Sequence, residues 1–390
     1  MVPLGDRAGA DPGQPGSASI AHYLGQLLQE IEASPPGPPL STVYVGGGTP
    51  SLLAPPQLRA LLGALRQRFG FAPGAELSLE LDPASFDQTR LEGYLAAGIT
   101  RVSLGVQSLD DAVLAQLGRR HRGADALQAA GWLRAAQRRG RLSSWSLDLI
   151  QALPGQTLEG WRRQLEQVIA LGPPHLSIYD LILEPGTVFE RLERRGQLDL
   201  PEHDLSADLQ ECTVRQLAAA GYGHYEISNY AQPGHASRHN RVYWSGAGWW
   251  GFGLGATSAP WGERQARPRT REAYGAWLEQ SLQAGVLPLD PPAGQGLPLD
   301  ERLLVGLRRR EGVPLAELAQ RAGLGADALA ALERRWRPYR QAGLLLQEGP
   351  RWRLSDPEGL ALSNAVLREL MGWWEDWAPG TGAAAPPPSP

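Results

Sequence analysis

Short apolar, β-branched runs alternate with segments of helical period along much of this chain, and that alternation constrains its fold more than any other feature. The runs are Thr42–Val45, Leu77–Leu81, Arg101–Gly105, Trp145–Ile150 and His175–Leu181, with a weaker one near His224–Ile227. Between them, Pro56–Phe69 carries Leu58, Leu61, Leu62, Leu65 and Phe69 on one stripe. Leu158–Leu171 does the same with Trp161, Leu165, Val168 and Ile169. Such an order predicts parallel strands joined by helical crossovers. An open doubly wound sheet and a partial or full barrel both satisfy it. In either, functional residues gather where strands end and loops begin.

The rest of the chain reads as flanks and an appendage. Residues 1–18 are rich in Gly and Pro and predict a loop. Ile20, Tyr23, Leu24, Leu27, Leu28 and Ile31 then predict a helix, ended by the proline run Pro35–Pro39. The barrel-type region is expected over 1–284, a Pro/Gly-rich linker over 285–300 and a smaller domain over 301–377. That domain reads helix, helix, helix, β-hairpin, helix, the hairpin being Leu344–Gln347 with Arg351–Leu354. The order is winged-helix-like, and its nearly balanced charge favours a packing or lid role over DNA binding. The tail 378–390 is low in complexity and is expected to be disordered.

Composition removes several chemistries. All 37 basic residues are arginine, which excludes a Schiff-base lysine and the P-loop lysine. Cys212 is the single cysteine, so these residues alone form no disulfide, cysteine zinc site or four-cysteine cluster. It falls in the expected helix Leu205–Ala220, where a small buried apolar side chain is the ordinary role. The net charge of −4 speaks against a nucleic-acid binder. No apolar stretch approaches the ~20 residues of a membrane helix, and no leader pattern opens the sequence, so a cytoplasmic protein is expected.

The candidate chemistry clusters at strand ends. Gly46-Gly47-Gly48-Thr49 follows the first visible strand; glycines there expose backbone N–H groups to a ligand, or simply make a tight turn before Pro50. Glu80 and Asp148 are acids in otherwise apolar strands, suited to ribose hydroxyls or an ammonium, or to a structural arginine. Gln107 and Arg119 follow; arginine suits a carboxylate or phosphate, though on its own Arg119 reads first as a solvated arginine at a helix end. The segment His239-Asn240-Arg241-Val242-Tyr243-Trp244 sets a histidine among aromatics. Such a histidine is either an axial haem ligand on an apolar platform or a buried, hydrogen-bonded rim residue.

Taken together, these strings resemble a known family. Tyr44–Leu53, Glu80-Leu81-Asp82-Pro83, Arg101–Ser108, Leu117–His121 and Leu147–Thr157 resemble the radical S-adenosylmethionine branch of oxygen-independent coproporphyrinogen oxidases. Tyr225–Tyr230 and His239–Trp244 are similar to the HemW-like haem chaperones within that branch. The resemblance spans about residues 40–377, in order. It implies a partial (β/α) barrel with a C-terminal winged-helix-like domain. It implies S-adenosylmethionine held by Gly47, Gly48, Thr49, Glu80, Gln107, Arg119 and Asp148. It implies haem held by His239, Asn240 and Tyr243, and haem delivery to haem-requiring membrane proteins. No nucleic-acid partner is implied, and a homodimer is compatible with it. An oxygen-independent coproporphyrinogen III oxidase-like enzyme is the alternative.

One departure is large. The family's Cys-x-x-x-Cys-x-x-Cys motif, which holds a [4Fe-4S] cluster after the first barrel strand, is not in this sequence. The sequence is expected to open ~25 residues downstream of the family's usual start, about one strand and loop. Either the start codon lies further upstream, or the cluster is lost and the chain is a haem-binding pseudoenzyme. Gly255-Ala256-Thr257-Ser258 also has Thr257 where the broader family leads one to expect His.

Overall fold

The computed structural model describes residues 18–183, 188–285 and 296–378. The expected N-terminal loop, most of the expected linker and nearly all of the expected tail lie outside them.

Helix α1 (Ala18–Ala33) precedes strand β1 (Leu40–Val45), followed by α2 (Pro55–Phe69), β2 (Phe71–Leu81), α3 (Gln88–Ala97) and β3 (Arg101–Gln107). Next come α4 (Asp111–Gln116), α5 (Gly123–Arg138), β4 (Ser144–Gln151), α6 (Leu158–Leu171) and β5 (His175–Asp180). Then follow α7 (Val188–Arg194), α8 (His203–Ala219) and a hairpin of β6 (Gly223–Glu226) and β7 (Asn229–Ala231). Strands β1 to β5 pair in sequence order and in parallel. The hairpin departs from the all-parallel expectation, because β7 adds antiparallel to β5 and β6 lies outside it.

The sheet has two unlike faces. Outward side chains such as Leu79, Val102, Leu104, Leu147 and Leu149 are fully buried beneath the helices. Inward positions carry Ser78, Ser103, Ser146 and Ser177 with Glu80, Arg101, Asp148 and His175. This alternation of period two gives the sheet an apolar convex face and a polar lumen. Parallel strands covered on both faces instead read as continuous apolar runs.

The segment after the hairpin closes one side of the lumen. Helix α9 (Arg238–Ser245) is followed by the short pair β8 (Thr257–Ser258) and β9 (Gln265–Ala266), then α10 (Arg271–Gln283). A second core is built from α11 (Leu299–Gly306), β10 (Val313–Pro314), α12 (Leu315–Arg321) and α13 (Ala326–Gln341). It continues through β11 (Leu345–Glu348), β12 (Arg351–Leu354), α14 (Glu358–Ala361) and α15 (Ser363–Trp377). Leu303, Leu332, Trp336, Leu370 and Trp373 fill its interior. It touches the barrel through His224 Nδ1, 2.7 Å from Asp356, and through the Arg310 N–H, which donates to the Tyr225 carbonyl at 3.2 Å.

One buried ion pair ties α1 to the closing segment. Glu30 is 0% exposed and Arg267 3%. Glu30 accepts from Arg267 Nε at 2.8 Å, the Gly253 N–H at 2.8 Å and the Tyr274 hydroxyl at 2.7 Å. Removing one member of such a pair strands the other charge in a dry interior. Glu30→Ala should therefore destabilise the fold by ~3–5 kcal/mol in chemical denaturation. Glu30→Leu combined with Arg267→Met should recover most of that loss. A single-variant loss below ~1 kcal/mol would show the pair to be solvated.

Candidate functional site

The C-terminal ends of β1 to β4 converge on one rim of the lumen. After β1, Gly47 and Gly48 adopt positive φ (78° and 55°), and nothing lies within 4 Å of where their Cβ atoms would stand. Their backbone is thus open to a ligand. Gly46 is different, because a Cβ there would lie 2.5 Å from the Tyr44 ring. Glu80 closes this turn. It accepts from the Tyr44 hydroxyl at 2.7 Å and the Gly47 N–H at 3.0 Å.

Asp148 lies one strand-pair further round. It accepts from the Ser103 hydroxyl at 2.7 Å and the Ser146 hydroxyl at 3.3 Å. Burial pushes its carboxyl up to about 6, against the pull of those hydroxyls and with a further push from the Glu80 charge. Gln107 ends β3 at φ 65°, a left-handed conformation that non-glycine residues rarely adopt outside functional or strained sites. A bulge between Gly105 and Gln107 accompanies it. Arg119 stands apart on the exposed turn after α4, where its charge acts on Asp82. Glycines 47 and 48, Thr49, Glu80, Gln107 and Asp148 thus share one rim, with Arg119 at its periphery.

The second candidate group is on α9. Ser237 caps this helix by accepting from the Asn240 N–H at 3.2 Å. The Glu76 carboxylate sits at the same end and accepts from the N–H groups of His239 (3.0 Å) and Arg238 (3.2 Å). A negative side chain at a helix N-terminus is favourable. His239 is held on both ring nitrogens, Nδ1 by Thr42 Oγ1 at 3.0 Å and Nε2 by the Tyr243 hydroxyl at 3.1 Å. Its ring stacks on Tyr44 at 4.8 Å. Burial pulls its pKa down to about 4, so the imidazole is neutral at pH 7. With Nδ1–H donating to Thr42, the Nε2 lone pair faces the Tyr243 hydroxyl.

His239 and Tyr243 line a cavity of about 860 Å³ that runs along β1. Its other walls include Tyr23, Leu27, Val43, Trp249, Trp250 and Phe252, and the Gly46–Thr49 turn bounds it. It falls in the size range of cofactor pockets and is mostly apolar with few polar groups, as such pockets are. Asn240 does not share it. That side chain lies on another side of α9 and lines a small polar cavity inside the lumen.

Cys212, the one cysteine of the sequence, lies on α8. It is buried at 3% exposure, and burial pushes its thiol up. Among the described residues, no group of three or more His, Cys, Asp or Glu could hold a metal ion. No described helix is long and apolar enough to cross a membrane. The sequence did not reveal the positive φ of Gln107, the Glu76 clamp on α9 or the role of Tyr44. Only the unusual density of acids and serines in the strands hinted at the polar lumen.

Residues 16–168 match the radical SAM superfamily, and residues 298–361 match the HemN C-terminal domain. The chain is 41% identical to the heme chaperone HemW of Synechocystis, over 92% of this chain and 89% of that protein. It is 36% identical to the heme chaperone HemW of Escherichia coli, over 80% of this chain and 79% of that one. Among solved structures it is similar to coproporphyrinogen III oxidase (HemN) from Escherichia coli. The TM-score is 0.69 at 22% identity, over 90% of this chain and 82% of that one. That likeness concerns the fold, a curled half-barrel with a C-terminal domain.

Asp148 gives the rim a pH signature. Its folded value, about 6, exceeds the ordinary 3.8, so the folded state resists deprotonation. The stability it contributes is present below ~4 and is lost as pH rises through ~6. Asp148→Asn should match the parent at pH 4 and be more stable by ~1–3 kcal/mol at pH 7. Superimposable stability–pH curves for the two proteins would show that Asp148 is not strained.

Proposed function

The chain belongs to the HemW-like group of the radical S-adenosylmethionine family, and on that premise we propose that it binds haem at His239 and passes it to haem-requiring membrane proteins. The observation that carries this reading is a neutral histidine in the wall of a large aromatic cavity. Haem is here the cargo. An apolar ring needs an apolar berth, and its iron needs an uncharged nitrogen lone pair. Thr42 fixes the His239 ring from behind, the kind of support that orients metal-binding histidines. Tyr243 covers Nε2 and must swing aside for the lone pair to reach iron. Tyr243 is 37% exposed and lines the cavity, its ring edge-on to Trp249 at 5.0 Å.

The rim at the strand ends fits S-adenosylmethionine. The open backbone of Gly47 and Gly48, with Thr49, meets the amino end of the ligand, and Gln107 and Arg119 offer donors to its carboxylate and nucleoside. The acids Glu80 and Asp148 suit ribose hydroxyls and the ammonium. When bound, that molecule supplies a reactive sulfonium. The residues described here do not fit a [4Fe-4S] cluster, since their one thiol is buried in α8 away from the rim.

Haem titration of the full chain tests the cargo reading. His239→Ala should weaken haem binding about tenfold or more and shift the Soret band. Binding should be level between pH 6 and 8 and fall away as pH drops through ~4, where the imidazole takes up a proton. Equal affinity and an unchanged spectrum in His239→Ala would remove the assignment.

A further inference from the structure

Helix α9 divides two cavities of opposite character. His239, Val242 and Tyr243 face the large apolar one. Ser237 and Asn240 face a polar one of about 40 Å³ within the lumen. That volume suits a few waters or one carboxylate group. Tyr44 lines both cavities, and its ring is the one stacked on His239.

The polar cavity is short of acceptors. Arg101, His175 and Ser78 line it, and Arg101 Nη2, His175 Nδ1 and Ser78 Oγ are buried with no hydrogen-bond partner among the described residues. Their residues are 5%, 1% and 1% exposed. His175 Nε2 is engaged by the Tyr225 hydroxyl at 2.8 Å, and that oxygen accepts from the Ser237 N–H at 3.2 Å. In the tautomer whose Nε2 accepts the Tyr225 proton, Nδ1–H is a donor. Guanidinium, imidazole N–H and hydroxyl thus share one small space. Buried donors of this kind are costly when unpaired.

The acids nearby are already occupied. Glu76 lies 3.8 Å from Arg101 Nη1, yet its oxygens serve the α9 N-terminus. Glu80 is held by Tyr44 and Gly47, and Asp148 by Ser103 and Ser146. Arg101 Nη1 is spent on the His235 carbonyl at 2.9 Å and Ser144 Oγ at 3.2 Å. Nη2 remains for an acceptor from outside the chain.

The large cavity has the converse deficit. No arginine lines it among the described residues, so an acidic ligand berthed there finds no counter-charge. Haem carries its acid groups on flexible arms at the ring edge. Tyr44, Ser78 and Arg101 are neighbours in register on β1, β2 and β3, which puts Arg101 ~10 Å from Tyr44.

We propose that the polar cavity is a carboxylate subsite, in which Arg101, His175, Ser78 and Asn240 seat one acid arm of a tetrapyrrole whose ring lies against His239. The assignment rests on the haem reading of α9. It makes Arg101 a specificity residue, selecting tetrapyrroles that carry free acid arms over esterified or arm-less rings. Arginine suits that task through its fixed array of donors.

The test compares haem with its dimethyl ester on the full chain. The parent protein should bind the free acid at least about tenfold tighter than the ester, ~1.4 kcal/mol. Arg101→Gln should bring the two ligands level. Asn240→Leu, which leaves the Arg101–Glu76 pair intact, should reduce the preference in a protein of parental stability. His239→Ala should weaken both ligands and preserve their ratio. Equal binding of acid and ester by the parent, with His239→Ala still weakening both, overturns the subsite and leaves the haem reading standing. Acetate bound at Arg101 without any acid-over-ester preference would assign the cavity to a free carboxylate and overturn it equally. Indifference of both ligands to His239→Ala overturns the haem reading and the subsite together.

Discussion

The structure depends on one asymmetry, a parallel sheet that is apolar on one face and polar on the other. Outward leucines and valines of β2 to β5 are buried, most of them completely, under α2, α3, α5 and α6. Inward serines are equally inaccessible yet polar, with Ser78, Ser103, Ser146 and Ser177 all at or below 9% exposed. Burying hydroxyls costs free energy unless they find partners. Ser103 and Ser146 find each other at 2.8 Å, and both also reach Asp148. The lumen is therefore a hydrogen-bonding interior, and a second helical layer packed into it would strand those groups. The curl of the sheet leaves the lumen as a polar interior lined by those hydroxyls.

Helix α9 has none of that buried support. No residue of it is fully buried, and its position comes from its ends and neighbours. Glu76 and Ser237 fix its N-terminus, Thr42 and Tyr44 hold His239, and α11 packs along it. Arg241 pairs with Glu311, so the C-terminal domain holds the same helix from outside. The second core thereby has a mechanical link to the candidate haem ligand.

How far the sequence could be read follows from where each signal is local. Strands β1, β3, β4 and β5 were legible because side chains of one strand declare their own alternation. Strand β7 was not, because Asn229–Ala231 is too short to show a period and is defined by its pairing to β5. Strand β2 begins earlier than its apolar run, since Pro73 and Gly74 hide its first half. Glycines 46–48, Glu80 and Asp148 announced themselves as polar or flexible residues at strand ends. Glu30 did not, because an acid on a helix ordinarily reads as a solvated face and its partner Arg267 is far along the chain. The sequence placed Asn240 with His239. One residue along a helix turns a side chain by about 100°, and here that is enough to put it in a different cavity.

Tyr44 joins the two candidate sites into one physical system. Its hydroxyl donates to Glu80, the acid that also accepts from Gly47, and its ring is the platform for His239. A ligand ammonium or hydroxyl that engages Glu80 competes for the same carboxylate lone pairs as Tyr44. Burial and the nearby acids hold the phenol far above its ordinary pKa, so Tyr44 has no anionic state to fall back on and must keep an acceptor or move. A shift of the phenol carries its ring, and with it the surface against which His239 is stacked. Any coupling between a ligand on the strand-end rim and cargo in the aromatic cavity therefore has a short route, through a single side chain packed between them. Because coupling free energies are reciprocal, haem that displaces the Tyr44 ring would alter affinity at Glu80 by the same factor.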